Sequence, residues 1–140
     1  MAQATYDDVN LILRLYEMRR EEKLRAARSW FVANFKVKTM ADFTQLCPQG
    51  SQENANARMV ISYWDMAASF VAAGVLNQEL FFESGGEMLV VWIRVKPMLN
   101  EVRAAFNNPG VWANLEKVGE AFAQHVGPQV FQALVARIGG

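Results

Sequence analysis

The sequence predicts an all-α fold, an irregular bundle of six or seven helices that forms a single domain over residues 1–140. Apolar residues recur at spacings of three and four along most of the chain, and no convincing alternating strand interrupts them. Gly, Pro and Asn concentrate where one apolar stripe ends and the next begins. Hydrophobic residues make up 52% of the chain, so the apolar surplus is expected in a dense core, a subunit interface, or both.

The first predicted helix is long. It begins at Thr5, which has the spacing of a capping pair with Asp8, and it continues without Pro or Gly to about Phe35 or Lys36. A straight helix of this length would measure on the order of 45 Å. Such a rod outreaches a compact domain of this size, so we expect it to bend or to pack along a partner. Its apolar stripe comprises Val9, Leu13, Tyr16, Arg20, Leu24, Ala27, Phe31 and Asn34.

Capping and breaking residues delimit the later helices. Pro97 lies inside the stripe that contains Trp92, and it should kink or restart that helix because it removes a backbone hydrogen bond. The predicted N-caps are Thr39, Ser51, Asn77 and Asn108, and the predicted stops are Pro48, Gly74, the pair Gly85-Gly86 and Gly127. No linker is long enough to divide the chain into two domains.

Between Met59 and Phe106 the chain contains Trp64, Phe70, Gly74-Val75-Leu76, Glu79-Leu80, Gly86, Trp92, Pro97 and Arg103. In residue type and spacing this segment resembles a bacterial all-helical domain family of unknown function. The resemblance implies an all-α fold and an uncharacterised function, and it supplies no catalytic residue. Some members of that family carry an N-terminal membrane span, which this sequence lacks.

Composition excludes several classes of protein. Cys47 and His125 are the single thiol and the single imidazole, which excludes a disulfide framework and a zinc cluster of Cys and His ligands. If Cys47 and His125 formed a nucleophilic pair, their side chains would have to be in contact. The favoured interpretation is that Cys47 is a small core residue and that His125 interacts with the end of its helix. The run Met88–Ile93 is too short to cross a membrane, and residues 1–8 lack the features of a signal peptide. We therefore expect a cytoplasmic chain.

Charge is balanced overall and unequal along the chain. The 14 basic side chains equal the 14 acidic ones, yet residues 1–40 contain eight basic and five acidic residues. Nucleic-acid binding is disfavoured, because the spacings of Glu17 to Arg20 and of Glu21 to Arg25 are those of helical ion pairs. A homodimer that sets the basic helix against an acidic face is favoured.

Two further groups of charged residues could form polar sites. The guanidinium of Arg20, inside the apolar stripe, either extends past a neighbour into solvent or meets Glu83 or Glu87. The spacing of Glu79, Glu83 and Glu87 would suit a carboxylate-bridged metal, but the Glu-x-x-His pairs of such sites are missing and the two glycines should break the helix. No metal or cofactor is expected.

These observations predict a non-enzymatic helical interaction or regulatory module that self-associates, with a protein partner also conceivable. The alternative is a small-molecule sensor with an aromatic pocket between the helix that bears Tyr63 and Trp64 and the helix that bears Trp92. The candidate pocket residues are Tyr63, Trp64, Phe70 and Trp92. The candidate interface residues are Arg19, Arg20, Lys23, Trp30, Phe81 and Phe82.

Overall fold

A computed structural model describes residues 3–139, and these residues form helices and turns without a strand. The all-α prediction is therefore confirmed. The helices are α1 (Tyr6–Arg19), α2 (Glu22–Asn34), α3 (Met40–Leu46), α4 (Gln52–Ala72), α5 (Gln78–Ser84), α6 (Gly86–Val95), α7 (Leu99–Ala105), α8 (Ala113–Val126) and α9 (Pro128–Arg137), with a 3₁₀ turn at Lys96–Met98 between α6 and α7.

Helix α4 lies at the centre of the bundle. It packs against α8 on one side and α2 on another, and α6 fills the space between α4 and α8. The largest side chains in the core are fully buried aromatic rings: Trp64 from α4, Trp92 from α6 and Phe31 from α2. Because these rings come from three helices, the core depends on contacts between distant parts of the sequence.

Most helix boundaries follow from local capping chemistry. The side chains of Thr5, Thr39, Ser51 and Asn77 each accept a hydrogen bond from a backbone N–H in the first turn of α1, α3, α4 and α5, as the sequence predicts. The break before Gly86 and the restart around Pro97 are also found where they were predicted.

The predicted long N-terminal helix is wrong in one respect. The chain turns at Arg20 and Glu21, so residues 6–34 form two helices, α1 and α2. The carboxylate of Glu21 accepts hydrogen bonds from the N–H groups of Lys23 and Leu24 and thereby caps α2. The guanidinium of Arg28 donates to the carbonyl of Arg19 at 2.9 Å and satisfies the end of α1. This turn and the break at Pro97 raise the helix count in residues 3–139 to nine, above the predicted six or seven.

The start of α8 also differs from the prediction. Asn108 does not cap this helix; its side chain accepts from Gly110 N–H in a turn, and α8 begins at Ala113. Trp112, just before the helix, has a φ of 56°, a left-handed conformation that costs a bulky residue energy. The cap comes from another helix, because Asp65 of α4 accepts the N–H of Leu115 at 3.0 Å.

Carboxylates cap two further helices from a distance. Glu101 of α7 accepts the N–H of Met40 at the start of α3, at 2.7 Å. Asp8 of α1 accepts the N–H of Asn77 at the start of α5, at 2.8 Å. Each contact places a negative charge at the positive end of a helix and also fixes the position of one helix relative to another.

Arg94 is a buried cation that holds two helix ends together. Its guanidinium donates to the carbonyl of Phe35, at the end of α2, and to the carbonyl of Ile138, at the end of α9. Among residues 3–139 no carboxylate forms an ion pair with it, and burial lowers the pKa of Arg94 from its ordinary value. The partial negative charge at the two helix C-termini is therefore its counter-charge.

Helices α6 and α8 approach each other closely at Trp92 and Gly119. A Cβ atom added to Gly119 would lie 2.5 Å from two atoms of the Trp92 indole. The indole is buried, and its N–H donates to the carboxylate of Glu120 at 2.9 Å, so it has little freedom to move aside. A glycine is required here for close packing.

The Gly119→Ala substitution should therefore destabilise the protein by about 1–3 kcal/mol, even though alanine favours helix formation. Gly86→Ala is the matched control, because a Cβ at this helical position meets nothing within 4 Å. Chemical denaturation should show a lower free energy of unfolding for Gly119→Ala and an unchanged or higher one for Gly86→Ala. Equal stability of Gly119→Ala and the wild type would contradict the packing described.

Candidate functional site

Helix α1 exposes a line of large hydrophobic side chains. Tyr6 is 78% exposed and Leu13 is 54% exposed, and Val9 and Tyr16 are exposed between and beyond them. Their spacing of three, four and three residues places all four on one face of the helix. The predicted apolar stripe thus divides at the turn: its second half, in α2, enters the core at Leu24, Ala27 and Phe31, while its first half remains on the surface.

The opposite face of α1 is attached to the bundle at several points. Leu15 is buried, and its carbonyl accepts a hydrogen bond from the hydroxyl of Tyr63 on α4. Near the other end, the guanidinium of Arg19 lies 5.3 Å from the Trp64 ring and 3.4 Å from the carbonyl of Ser84. These contacts fix which side of α1 faces solvent.

Asp8 anchors the first turn of α1. Its carboxylate accepts the N–H groups of Asn77 and Thr5, at 2.8 and 2.7 Å. These two donors hold the pKa of Asp8 below its ordinary value, with Asn77 the larger cause. The same carboxylate therefore caps α1 and ties it to the start of α5.

An ion pair between Arg28 of α2 and Glu87 of α6 lies beside the turn between α1 and α2 and forms the main polar junction. Arg28 donates two hydrogen bonds to the carboxylate of Glu87 on α6, at 2.8 and 2.9 Å. The indole N–H of Trp64 donates to the same carboxylate at 3.1 Å. The hydrogen bond to Glu87 raises the pKa of Arg28 above its ordinary value. Both side chains are 23% exposed, so solvent weakens this pair less than a pair on the open surface.

Of the two alternatives predicted for the Arg20 guanidinium, the structure shows the one in solvent. Glu87 does receive a guanidinium, but it comes from Arg28 of the same chain. The head of Arg20 is exposed and lies 5.8 Å from the Tyr16 ring. The Glu79, Glu83 and Glu87 series is interrupted at Gly85, between α5 and α6, and Glu87 is held by Arg28. Among residues 3–139 no group of three His, Cys, Asp or Glu side chains could hold a metal ion.

The candidate interface residues fall into two groups. Arg20 and Lys23 are exposed, and Arg19 and Trp30 are partly buried. Phe81 and Phe82 are buried in the core, and the Phe82 ring stacks on Phe122 at 4.1 Å. Because other residues of the same chain cover both rings, Phe81 and Phe82 cannot contact a partner, and their prediction as interface residues is wrong. Val9, Leu13 and Tyr16 belong to the predicted apolar stripe, and neither these residues nor Tyr6 are among the candidate interface residues.

The candidate pocket residues contact other protein atoms. Tyr63, Trp64 and Trp92 are buried, and Phe70 is partly buried. The Trp64 ring meets the Tyr63 ring edge to face at 4.9 Å, and Trp92 is wedged against Gly119. Surface depressions of about 440 and 300 Å³ lie elsewhere, one beside Lys36 and the other beside Lys96, and none of the four aromatic residues lines them.

Cys47 and His125 occupy separate environments. Cys47 ends α3 and is buried, and desolvation raises its pKa to about 11. The thiol is therefore protonated at neutral pH and a poor nucleophile. His125 lies in the last turn of α8, with its ring 5.1 Å from that of Phe82.

Across residues 3–139, no helix has both the length and the apolar content that a bilayer crossing needs.

Asp8 makes stability depend on pH. The pKa of Asp8 is lower in the folded protein than in the unfolded chain, where it is about 3.9. Its contribution to the free energy of unfolding is therefore present above the unfolded pKa and is lost as pH falls through the folded pKa. Asp8→Asn should unfold more easily than the wild type at pH 7, and the difference should shrink as pH falls below the unfolded pKa. Thermal melts from pH 7 down through the unfolded pKa test this prediction. The control is Glu53→Gln, which changes an exposed carboxylate in the first turn of α4. A difference for Asp8→Asn that does not change with pH would be inconsistent with the lowered pKa.

Removing the charge at the junction should destabilise the attachment of α1 and α2. We expect Glu87→Gln to lose about 1–3 kcal/mol, because Arg28 then keeps its charge with a weaker partner. Glu83→Gln, on an exposed residue of α5, should change the free energy of unfolding little. Urea denaturation of Glu87→Gln, of Arg28→Met and of the double variant Arg28→Met/Glu87→Gln measures the coupling between the two side chains. Additive losses in the double variant would show that the two side chains do not stabilise each other.

Comparison with known proteins gives one match, to the family described as "Domain of unknown function (DUF4760)", over residues 4–122. No curated protein and no solved structure matches. The match confirms the resemblance to a family of unknown function and extends it beyond residues 59–106, from α1 into α8. It includes the exposed face of α1 and the Arg28–Glu87 junction, and it ends before α9. The chain therefore belongs to the DUF4760 family.

Proposed function

We propose that this protein is a non-enzymatic helical interaction module that self-associates through the exposed face of α1. The observation that carries the proposal is the line of Tyr6, Val9, Leu13 and Tyr16 on the surface of α1. Single exposed hydrophobic residues are ordinary, but a continuous apolar line on one helix is typical of a contact surface. Covering it would gain about 25 cal/mol for each Å² of apolar surface removed from water.

The way α1 is attached also supports this role. Asp8, Arg19 and the carbonyl of Leu15 hold the helix at its start, end and middle. A partner would therefore meet a surface that is already ordered, and binding would not have to overcome the entropy of folding a loose segment. The core aromatic residues are already packed, so nothing in their geometry favours the sensor alternative over an interaction module.

The proposal retains the cytoplasmic location expected from the sequence. Support comes from Cys47, which is a free buried thiol and suits a reducing compartment. Regulation by self-association is the form of activity we propose, since the face on α1 becomes covered or uncovered as the concentration of the chain changes.

Leu13→Glu should convert the self-associated protein to a monomer, because it places a charge in the centre of the apolar line. Val130→Glu is the matched control, since Val130 is an exposed aliphatic residue on α9. Sedimentation velocity over a range of concentrations, with circular dichroism to verify folding, measures the effect. A wild-type protein that remains monomeric at every concentration would refute self-association.

A further inference from the structure

We propose that α9 is a displaceable cover over an oxyanion-binding site, and that the guanidinium of Arg94 binds a carboxylate or phosphate group when α9 moves away. Three features of the molecule support this site: the unused donor of Arg94, the shallow packing of α9, and the glycine that joins α9 to α8. The site is independent of the apolar face on α1.

One edge of the Arg94 guanidinium is only half used. The residue is 4% exposed, and its Nη2 donates to the carbonyl of Ile138 at 2.7 Å, while its Nη1 donates to the carbonyl of Phe35. Among residues 3–139 the buried Nε–H has no acceptor. A buried donor without an acceptor costs free energy and is rare in folded proteins. The unused Nε–H therefore points to an acceptor that the closed position of α9 excludes.

The same edge of a guanidinium binds a carboxylate elsewhere in this protein. Arg28 donates from Nε and Nη2 to the two carboxylate oxygens of Glu87, at 2.8 and 2.9 Å. In Arg94 this edge faces one carbonyl oxygen, which leaves Nε without a second oxygen. Two oxygens of a carboxylate or phosphate group would accept both hydrogens and would also neutralise the buried charge.

The end of α9 covers this edge, and the helix is packed shallowly. None of its residues 128–137 is buried, although Phe131, Leu134 and Val135 lie partly against the core. Its main neighbour is α8, the preceding helix. A surface depression of about 300 Å³ lies beside Pro128 and Phe131, so the start of α9 is incompletely packed. A helix that buries so little apolar surface opens at a lower free-energy cost than the core helices.

The connection between α8 and α9 permits this movement. Gly127 is the single residue between the two helices, and its φ of 88° is a left-handed conformation that favours glycine. Pro128 has no N–H, so α9 begins without continuing the backbone hydrogen bonds of α8. A rotation at Gly127 therefore swings α9 away from Arg94 while both helices stay intact.

A second cation lies beside the end of α9. The Nζ atom of Lys36 is 3.8 Å from the place that a Cβ atom on Gly139 would occupy, and Lys36 follows the residue whose carbonyl accepts from Arg94. Asp42 lines the surface depression beside Lys36, but within residues 3–139 no salt bridge joins the two. The positive charge of Arg94 and Lys36 favours an anion over a neutral ligand.

Inorganic phosphate and acetate, added to the intact chain at pH 7, test the site. An oxyanion that binds the open form raises the fraction of open molecules. A helix of ten residues frays once it is detached, so its amides then exchange with solvent. We expect NMR to show exchange at Leu134 and Val135 accelerated about threefold to tenfold, together with a shift of the Arg94 Nε–H resonance. Sodium chloride of equal ionic strength should change neither.

Two variants and a control separate binding at Arg94 from a general effect of anions. Arg94→Met removes the donors and keeps an apolar side chain, so phosphate and acetate should no longer accelerate exchange in α9. Leu134→Ala weakens the packing of α9 and should lower the apparent Kd about threefold to tenfold, because more molecules are then open. Val130→Ala, on an exposed residue of the same helix, is the matched control and should leave the Kd unchanged.

Each outcome either supports the site or overturns it. Acceleration by acetate alone would support a carboxylate ligand, and acceleration by phosphate alone would support a phosphate ligand. Equal acceleration in the wild type and in Arg94→Met, or in sodium chloride, would overturn the site. The absence of any effect in both the wild type and Leu134→Ala would also overturn it. Monomers and dimers give the same result, so failure of this site would leave self-association through α1 untouched.

Discussion

The ion pair between Arg28 and Glu87 is the interaction on which the arrangement of this protein depends. Arg28 binds the Glu87 carboxylate and the carbonyl of Arg19 with the same guanidinium, and Glu87 also receives the indole of Trp64. Helices α1, α2, α4 and α6 therefore meet at one point. Because the chain turns there, α2 enters the core while α1 lies on the outside with its apolar face toward solvent.

The sequence predicted those features that depend on local chemistry. Side-chain caps at Thr39 and Asn77 act on backbone groups within a few residues, so their spacing alone identifies them. The break at Gly85 and the restart at Pro97 follow from backbone conformations that these residues favour or prevent. The all-helical class followed from the spacing of apolar residues along the chain. The resemblance to an uncharacterised family rested on the positions of particular residues, among them Trp64 and Trp92.

The features that were missed depend on residues far apart in the sequence. The turn at Glu21 has no Gly or Pro, and the one local signal was a carboxylate able to cap α2; Arg28 and Glu87, 59 positions apart, complete it. Asp65, which caps α8, lies 50 positions from Leu115 and had no recognisable signal. Phe81 and Phe82 were assigned to a contact surface because the high apolar content of the chain suggested an interface, yet the core surrounds both. The exposed face of α1 was unrecognised for the same reason, since periodicity identifies an apolar face without showing what covers it.

The central claim is that α1 and α2 are separate helices joined by a turn at Arg20 and Glu21, and amide hydrogen exchange measured by NMR tests it most directly. We predict fast exchange at Glu22, the first residue of α2, between slowly exchanging amides at Leu15 and Ala27. Uniformly slow exchange from Leu15 through Ala27 would instead indicate one continuous helix, and the exposed face of α1 would then lose its structural basis.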